Sequence, residues 1–171
     1  GGLTGSEFEP LATVESYDTA TGVWSTKSPM PTARYLLAGG VLNGVLYAVG
    51  GSNDGSPRAN VEAYDTLTNV WTKKAPMPTA RYAHATGVVA GALHAVGGYN
   101  GSYLATAEAY DTVARTWTTK ASMPTARAGH AVGVVGSILF AVGGSSASGQ
   151  LAVVEAYDAV TNTWSTKATM P

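Results

Sequence analysis

The sequence predicts an all-β fold built from repeated four-stranded antiparallel units, and two observations predict it. A motif that reads Val-Glu-Ser-Tyr-Asp at 14–18 returns with small changes at 61–65, 107–111 and 154–158, a period of 46–47 residues. Within each period, short apolar runs are divided by two-residue turns. A period of this length is too long for a coiled coil and suits a unit of several strands that stacks on its neighbours.

The repeat over 79–124 shows how one unit is built. Its predicted strands are 84–89, 92–96, 105–110 and 116–120. The first two are runs of β-branched and small residues without helical periodicity, which favours buried strands. In the preceding repeat the turn between them is Asn43-Gly44, a dipeptide typical of tight hairpins because both positions favour positive φ. Four antiparallel strands repeated radially form the blades of a β-propeller.

The positions of the repeats divide the chain into one incomplete and three complete blades. The predicted bounds are 1–31 for the last two strands of a first blade, and then 32–78, 79–124 and 125–171 for complete blades. Three and a half blades leave strand edges unpaired, and unpaired edges favour association. We therefore expect one domain that is part of a larger or oligomeric ring, with self-association through its open edges.

Residues that recur in every repeat are interpreted as structural. The repeated arginines and glutamates are expected to pair or to satisfy backbone carbonyls, because a buried charge without a partner is costly. An Asp opens the turn between the third and fourth strands, and Gly22, Asn69 and Asn162 suit a left-handed position in it. Arg115 holds that position in the third turn, where we expect a cost. The tryptophans are expected to be equivalent and largely buried between blades, at Trp24, Trp71, Trp117 and Trp164.

Composition excludes several classes of function. The 171 residues are 45% hydrophobic and 12% charged, with a net charge of −1, and no basic cluster for phosphate binding is present. We therefore predict no nucleic-acid partner. Cysteine is absent, which excludes disulfides and thiolate ligands. The apolar stretch 35–51 is split by a hairpin turn, so we predict no membrane insertion and a soluble protein without a visible targeting signal.

The residue types needed for catalysis or metal binding do not converge in the sequence. His84 and His130 share one repeat position, but the remaining copy has Leu37, and no carboxylate lies in those strands. A metal site needs three or more converging ligands, so we interpret these histidines as core or channel-wall residues and predict no metal or cofactor. A glycosidase needs two carboxylates across a cleft. The carboxylates in the variable loops are Glu7, Glu9 and Asp54.

The repeated residues resemble the Kelch repeat. The Gly-Gly pair, the Tyr-Asp, the tryptophan six residues after that Asp and the Met-Pro-x-x-Arg recur in fixed register over nearly the whole chain. The resemblance implies a Kelch propeller, a family whose members mostly bind partners on one face of the ring. A minority act as enzymes on sugars or oxidise alcohols. The copper-radical type requires a cysteine, which this chain lacks.

The resemblance also implies where a ligand would bind. In this family the contacts come from the two residues after the repeated arginine and from the residue after Gly-Gly. Members that bind acidic peptides carry arginine at the second of these positions, which holds Leu36, Ala83 and Gly129 here, so we do not expect an acidic peptide. The loop surface is aromatic and rich in hydroxyls, which suits neutral ligands. The predicted ligand-binding residues are Tyr35, Tyr82, Tyr99, Ser52, Asn53, Ser145 and Asn100.

Three functions remain open. The leading hypothesis is a non-enzymatic scaffold that binds a protein or peptide, with carbohydrate as the other ligand class. The second is a Kelch-type sugar enzyme, an epimerase or hydrolase, with catalytic residues partly outside this chain. The third is a structural subunit of a larger assembly.

Overall fold

The computed structural model describes residues 1–5 and 9–171, and these residues form strands and turns. None of them forms a helix long and apolar enough to cross a membrane. The strands are β1 (Gly2–Leu3), β2 (Pro10–Leu11), β3 (Val14–Asp18), β4 (Val23–Lys27), β5 (Ala38–Leu42), β6 (Val45–Val49), β7 (Val61–Asp65), β8 (Val70–Lys73), β9 (Ala85–Val89), β10 (Ala92–Val96), β11 (Ala107–Asp111), β12 (Thr116–Lys120), β13 (Ala131–Val135), β14 (Ile138–Val142), β15 (Ser145–Ser146), β16 (Gly149–Gln150), β17 (Val154–Asp158) and β18 (Thr163–Thr166).

Three four-stranded antiparallel sheets follow one another along the chain. The second sheet has the order β5-β6-β7-β8, the third β9-β10-β11-β12 and the fourth β13-β14-β17-β18. They are preceded by a half sheet, in which β3 pairs with β4. The first strands of successive sheets lie side by side, β5 against β9 and β9 against β13. These inner strands therefore surround a common axis, and the predicted all-β fold of propeller blades is confirmed.

Glycines on the inner strands allow neighbouring sheets to pack closely. A Cβ added to Gly40 would lie 2.5 Å from Leu93 Cδ1, and one added to Gly87 would lie 2.9 Å from Val132 Cγ1. Both contacts are shorter than a side chain tolerates. Leu93, in turn, has no exposed surface and belongs to the core between the second and third sheets.

Buried ion pairs connect the segment before the first strand of each complete sheet to the third strand of that sheet. Arg34 Nη2 lies 2.8 Å from Glu62 Oε2, and both residues are almost fully buried. Arg34 Nη1 also donates to the carbonyl oxygens of Gly50 and Asn60, at 2.7 and 3.0 Å. Thr32 Oγ1 donates to the other carboxylate oxygen of Glu62 at 2.7 Å. The pairs Arg81–Glu108 and Arg127–Glu155 repeat this arrangement at 2.9 and 2.8 Å. The prediction that repeated arginines and glutamates pair is confirmed in the three complete sheets.

The turns between the third and fourth strands also follow the prediction. Asp65 Oδ1 accepts hydrogen bonds from the amides of Leu67 and Thr68, at 2.8 and 3.2 Å. These backbone bonds lower the pKa of Asp65, because they favour the ionised carboxyl. The residue four positions after each Asp has a positive φ, namely Gly22 (72°), Asn69 (58°), Arg115 (58°) and Asn162 (55°).

The expectation that all four tryptophans are equivalent and buried is wrong for one of them. Trp71, Trp117 and Trp164 are half-buried, and each indole nitrogen donates to a carbonyl of the preceding sheet at 2.8–2.9 Å. Trp24 is 66% exposed. Its sheet is the half sheet, and no described residue packs on that side of it in the way that Ser28 packs on Trp71. The burial of this tryptophan therefore depends on a neighbouring sheet and not on its own repeat.

Candidate functional site

The predicted ligand-binding residues lie where the inner strands begin and where the loops after the second strands start. Isolated β-bridges join these two places in each complete sheet, and we call the surface that they form the rim face. The bridged pairs are Tyr35 with Ser52, Tyr82 with Tyr99, and Ala128 with Ser145. The backbone amides and carbonyls of each pair bond reciprocally at 2.8–3.1 Å. Backbone hydrogen bonds within each sheet thus fix the path of the chain at the rim face.

Hydrogen bonds also connect neighbouring sheets across the rim face. The amide of Ala83 donates to the carbonyl of Leu36 at 2.9 Å, and the amide of Gly129 donates to the carbonyl of Ala83 at 2.8 Å. These three residues all have positive φ, 50°, 50° and 64°. Leu36 is 51% exposed in this conformation. A left-handed backbone directs the carbonyls from one sheet to the next, so the three sheets present a continuous surface.

Three tyrosines cluster on the rim face of the third sheet. The ring centroids of Tyr82 and Tyr99 are 5.6 Å apart, and those of Tyr99 and Tyr103 are 5.3 Å apart with nearly perpendicular planes. Tyr99 and Tyr103 are held opposite each other by a β-bridge across the loop 99–103. Aromatic pairs in these geometries attract each other beyond the area that they bury. Tyr82, Tyr99 and Tyr103 are called the tyrosine cluster below.

Two shallow cavities lie on either side of the tyrosine cluster. The inner cavity, of about 500 Å³, lies between the third and fourth sheets and is lined by Tyr82, Ala83, Tyr99, Tyr103, Ala128, Gly129 and Ser145. The outer cavity, of about 610 Å³, is lined by Tyr99, Gly101, Ser102, Tyr103, Pro124, Thr125, Ala126, Ser146, Ala147 and Ser148. Tyr99 and Tyr103 therefore line both cavities, and the volumes of these cavities lie in the range of small-ligand sites.

The electrostatics of this site are neutral. None of the described residues that line the two cavities is Asp, Glu, Lys, Arg or His. Burial raises the pKa of Tyr82, and the neighbouring Tyr99 and Tyr35 raise it further, so its hydroxyl stays protonated and can donate a hydrogen bond. The repeated cations that precede lining residues in the sequence, Arg81 and Arg127, are fully buried in their ion pairs. The arrangement can stack rings and donate hydrogen bonds but offers no charge to a ligand.

The structure brings some of the predicted residues together and separates others. Tyr82, Tyr99 and Ser145 share the inner cavity. Ser52 lies beneath the surface, with 1% of its area exposed. The side-chain oxygen of Asn53 accepts hydrogen bonds from Arg58 within its own loop. Asn100 is exposed at the tip of the 99–103 loop and lines neither cavity.

Tyr35 was predicted but lies outside the inner cavity, whereas Tyr103 lines that cavity but was not predicted. Tyr35 belongs to the second sheet and is half-buried on the neighbouring part of the rim face, outside the inner cavity. Tyr103 was not among the sequence candidates, although it completes the tyrosine cluster. The available signal was the spacing Tyr99-Asn-Gly-Ser-Tyr103, in which an Asn-Gly turn brings two tyrosines opposite each other across a short hairpin.

The histidines lie in the packing between sheets. A Cβ on Gly50 would lie 2.6 Å from His84 Cε1, and one on Gly97 would lie 2.7 Å from His130 Cε1, so each imidazole fills the space above a glycine of the preceding sheet. Burial lowers the pKa of His84 to about 3, with further contributions from Arg81, His130 and Arg34. Burial and then Arg127 lower the pKa of His130 to about 4. Within the described part of the chain, no three His, Cys, Asp or Glu side chains are grouped to hold a metal ion.

The loop carboxylates do not form a catalytic pair in the described structure. Asp54 accepts a hydrogen bond from the amide of Ser56 at 3.0 Å and lies 3.2 Å from Arg58 in an exposed ion pair. Glu9 is exposed beside β2. Neither residue lines a described cavity. Glu7 lies outside the described residues.

Comparisons with known proteins agree with this architecture. A family model described as the KLHDC2/KLHL20/DRC7 Kelch-repeats domain matches residues 1–144, and the Kelch motif model matches residues 126–171. A search of curated proteins gives no match. The solved structure of YjhT is similar, with a TM-score of 0.78 and 18% sequence identity, over 98% of this chain and 68% of that chain. At this identity the likeness shows the fold alone.

Proposed function

This chain belongs to the Kelch repeat family, and on that premise we propose that it is a non-enzymatic binding scaffold whose rim face binds an uncharged segment of a partner protein. The propeller fold supports a binding scaffold in general. The observation that carries the finer proposal is the tyrosine cluster, which lies between two cavities without charged lining residues.

Aromatic side chains on a rigid surface are well suited to binding. Tyr82, Tyr99 and Tyr103 are half-buried, so part of each ring remains available to a ligand. Their backbones are fixed by bridges within the sheet, which reduces the entropy lost when a ligand orders them. Tyrosine is also enriched among the residues that dominate the energy of protein interfaces.

The absence of charge from the cavity walls selects the class of ligand. A charged group placed against these walls would lose its hydration without gaining an ion pair, which is costly. An uncharged peptide with apolar or aromatic side chains avoids that cost. It also gains apolar burial against Ala83, Ala128 and the tyrosine rings.

A neutral glycan is the second candidate. The outer cavity places Ser102, Ser146, Ser148 and Thr125 next to the Tyr99 and Tyr103 rings. Rings for stacking and hydroxyls for hydrogen bonds are the groups that orient a sugar. The serine hydroxyls of the outer cavity support glycan binding, whereas the apolar inner cavity favours a peptide.

Selection from a displayed library of random peptides tests the proposed function, with a panel of neutral glycans screened in parallel. We expect the protein to enrich uncharged peptides that bind at least tenfold more weakly to Tyr99→Ala. Tyr17→Ala is the matched control, because Tyr17 is an exposed tyrosine of the half sheet and does not line either cavity. Tyr99→Phe separates ring stacking from the hydroxyl, since it keeps the ring.

Three outcomes would contradict the peptide proposal. Equal binding to the wild-type protein and Tyr99→Ala would exclude the tyrosine cluster as the site. Glycan binding that is lost in Tyr99→Ala, without any peptide binding, would favour the second candidate. Turnover of a sugar that is lost on changing Asp54 or Glu9 would favour a Kelch-type enzyme instead.

A further inference from the structure

The loop 99–103 on the rim face has an Asn-Gly pair at its tip, Asn100-Gly101. Asn100, Gly101 and Ser102 are all exposed. The amide of Asn100 donates to the carbonyl of Ser102 at 3.2 Å, whereas the amide of Gly101 donates to no described residue. Water and dissolved bases can therefore reach the amide of Gly101.

An asparagine followed by glycine readily loses its side-chain amide. The glycine nitrogen, after giving its proton to a base, attacks Cγ of the asparagine. A C–N bond forms, and the side-chain nitrogen takes up a proton and leaves as ammonia. Water then opens the five-membered imide at either carbonyl, which gives aspartate or isoaspartate. Glycine favours the attack because it has no β-carbon and its backbone is the least restricted.

A second Asn-Gly pair, Asn43-Gly44, shows what the fold adds to this reactivity. Asn43 is also exposed, so exposure does not distinguish the two asparagines. Asn43 and Gly44 form the turn between β5 and β6 and have φ values of 52° and 76°. In a left-handed residue the attacking nitrogen and Cβ lie on opposite sides of the Cα–C bond, so ring closure must rotate that bond and undo the turn. That rotation disturbs the paired residues Leu42 and Val45, and Leu42 is buried in the core.

Asn100 is not restrained in this way in the described structure. It is not among the residues with positive φ. The ends of its loop are joined by an isolated β-bridge between Tyr99 and Tyr103, and the next strand begins at Ala107. Rotation at the exposed tip therefore displaces neither a strand ladder nor a core residue. Ring closure costs less at Asn100 than at Asn43.

The product changes the outer cavity in charge and in shape. Gly101 and Ser102 line this cavity, and none of its described lining residues is charged. Deamidation of Asn100 adds a carboxylate next to them. In isoaspartate the main chain also runs through the former side chain and gains one methylene. The added methylene lengthens the loop that holds the rings of Tyr99 and Tyr103 5.3 Å apart.

We propose that Asn100 is a site of spontaneous deamidation, and that the reaction places a negative charge at the margin of an uncharged binding surface. Asn43 stays intact in the folded protein under the same conditions. The modification itself does not depend on what the rim face binds. Its effect on binding rests on the proposed function: an uncharged ligand loses affinity, because the new carboxylate keeps its hydration and the loop changes shape.

Incubation of the folded chain near neutral pH, in water enriched in heavy oxygen, tests the modification. Mass spectrometry of proteolytic peptides should show one heavy oxygen incorporated at Asn100, and enzymatic methylation of isoaspartate should label the same peptide. We expect the reaction at Asn43 to be at least tenfold slower. The rate at Asn100 should rise with pH, because a base removes the proton of the attacking amide.

Synthetic peptides of residues 97–105 and 40–48 are the matched control, because each places its asparagine at the fourth position without the fold. The two peptides should react at similar rates. An intact Asn100 in the aged protein would overturn the proposal. Equal rates at Asn100 and Asn43 in the folded protein would also overturn it, since the fold would then select neither site.

Asn100→Gln tests the effect on binding, because glutamine keeps a neutral amide and would have to close a six-membered ring, which is much slower. Ageing should weaken the binding of a selected uncharged peptide at least threefold for the wild type and leave Asn100→Gln unchanged. Equal loss in both proteins would contradict the effect on binding. If the fresh wild-type protein selects no ligand, the proposed function fails, while the mass spectra still decide the modification.

Discussion

Arg34, Arg81 and Arg127 have no exposed surface. We therefore interpret these repeated cations as structural. Each guanidinium satisfies a glutamate and at least two backbone carbonyls of its own sheet. Burial lowers the pKa of Arg34 and Arg81, and the paired glutamates oppose that change. An arginine retains its proton under these conditions, so each pair remains ionic. These cations hold the segment before the first strand of each complete sheet against the third strand, and they are not available to a ligand.

The buried histidines make the stability of the fold depend on pH. An unfolded histidine titrates near 6.5, whereas burial and Arg81 hold the pKa of His84 at about 3. Between these values the unfolded chain binds a proton that the folded chain excludes. The stability contributed by neutral His84 is therefore complete above pH 6.5 and is lost as the pH falls. His130, with a pKa of about 4, acts in the same direction.

We predict that the free energy of unfolding falls between pH 6 and pH 5 by about 1 kcal/mol for each of these histidines. His84→Leu should make this fall in the free energy of unfolding smaller by about 1 kcal/mol, because the variant lacks one of the two histidines. Leucine is the chosen substitution because the equivalent position of the second sheet already holds Leu37. Urea unfolding at pH 7, 6 and 5 measures this. The window lies above the range in which Asp18, Asp65 and Asp111 titrate, since backbone bonds lower the pKa of each. An identical loss in the variant and the wild type would contradict the assignment to His84.

At the scale of single elements, the turns between third and fourth strands show how one residue serves two sheets. Asn69 Oδ1 accepts a hydrogen bond from the Tyr64 hydroxyl at 2.7 Å and from the amide of Ser28, in the preceding sheet, at 2.9 Å. Asn162 makes the same two bonds, to Tyr157 and to Ala121. The asparagine thus provides the left-handed backbone of the turn and also links neighbouring sheets.

Arg115 occupies this position in the third sheet with a φ of 58° and has no amide oxygen to accept these bonds. We predict that Arg115→Asn raises the free energy of unfolding by about 1–2 kcal/mol, because asparagine tolerates the left-handed region and supplies an acceptor. The new acceptor would serve the Tyr110 hydroxyl and the amide of Ala75. The shift in the midpoint of urea unfolding measures the gain.

Arg115→Ala is the control for that prediction. It removes the same charge and the same long side chain, but it keeps a β-carbon in the left-handed region and adds no acceptor. We expect little or no stabilisation from it. If Arg115→Ala stabilised the protein as much as Arg115→Asn, removal of the arginine would be the cause and the acceptor would contribute nothing.

Much of each element could be predicted from the sequence because the information is local. The strand 105–110 was predicted from its alternation and is observed at Ala107–Asp111, and the turn position of Arg115 was predicted from its equivalents. Exposure of Trp24 could not be predicted in this way, because it depends on which sheet lies beside it. Tyr103 was missed for a different reason: its signal, an Asn-Gly turn between two tyrosines, is local and was not used to place Tyr103 against Tyr99.

At the scale of the whole molecule, the first and last sheets expose positions that are buried between the other sheets. Val135 is 71% exposed, whereas its equivalent Val89 is 2% exposed. At the other end, Tyr17 is 49% exposed, whereas its equivalent Tyr110 is 1% exposed. Each open side therefore has the composition of an interior interface. Within the chain, one face of each sheet packs against the opposite face of the next sheet. The two open sides are these two complementary faces, so the first sheet of one copy can contact the fourth sheet of another copy, head to tail.

We predict that a polypeptide of these 171 residues self-associates through its open sides. Light scattering should give a mass above the 17.4 kDa of one chain, and the mass should rise with protein concentration. Val135→Glu should shift the mass towards 17.4 kDa, because it places a charge on a surface that association would bury. Leu67→Glu is the control, since Leu67 is 95% exposed on a turn that no neighbouring sheet covers. A stable monomer of the wild-type chain at high concentration would contradict the prediction, and an equal effect of the two glutamates would show that association does not use the face of the fourth sheet.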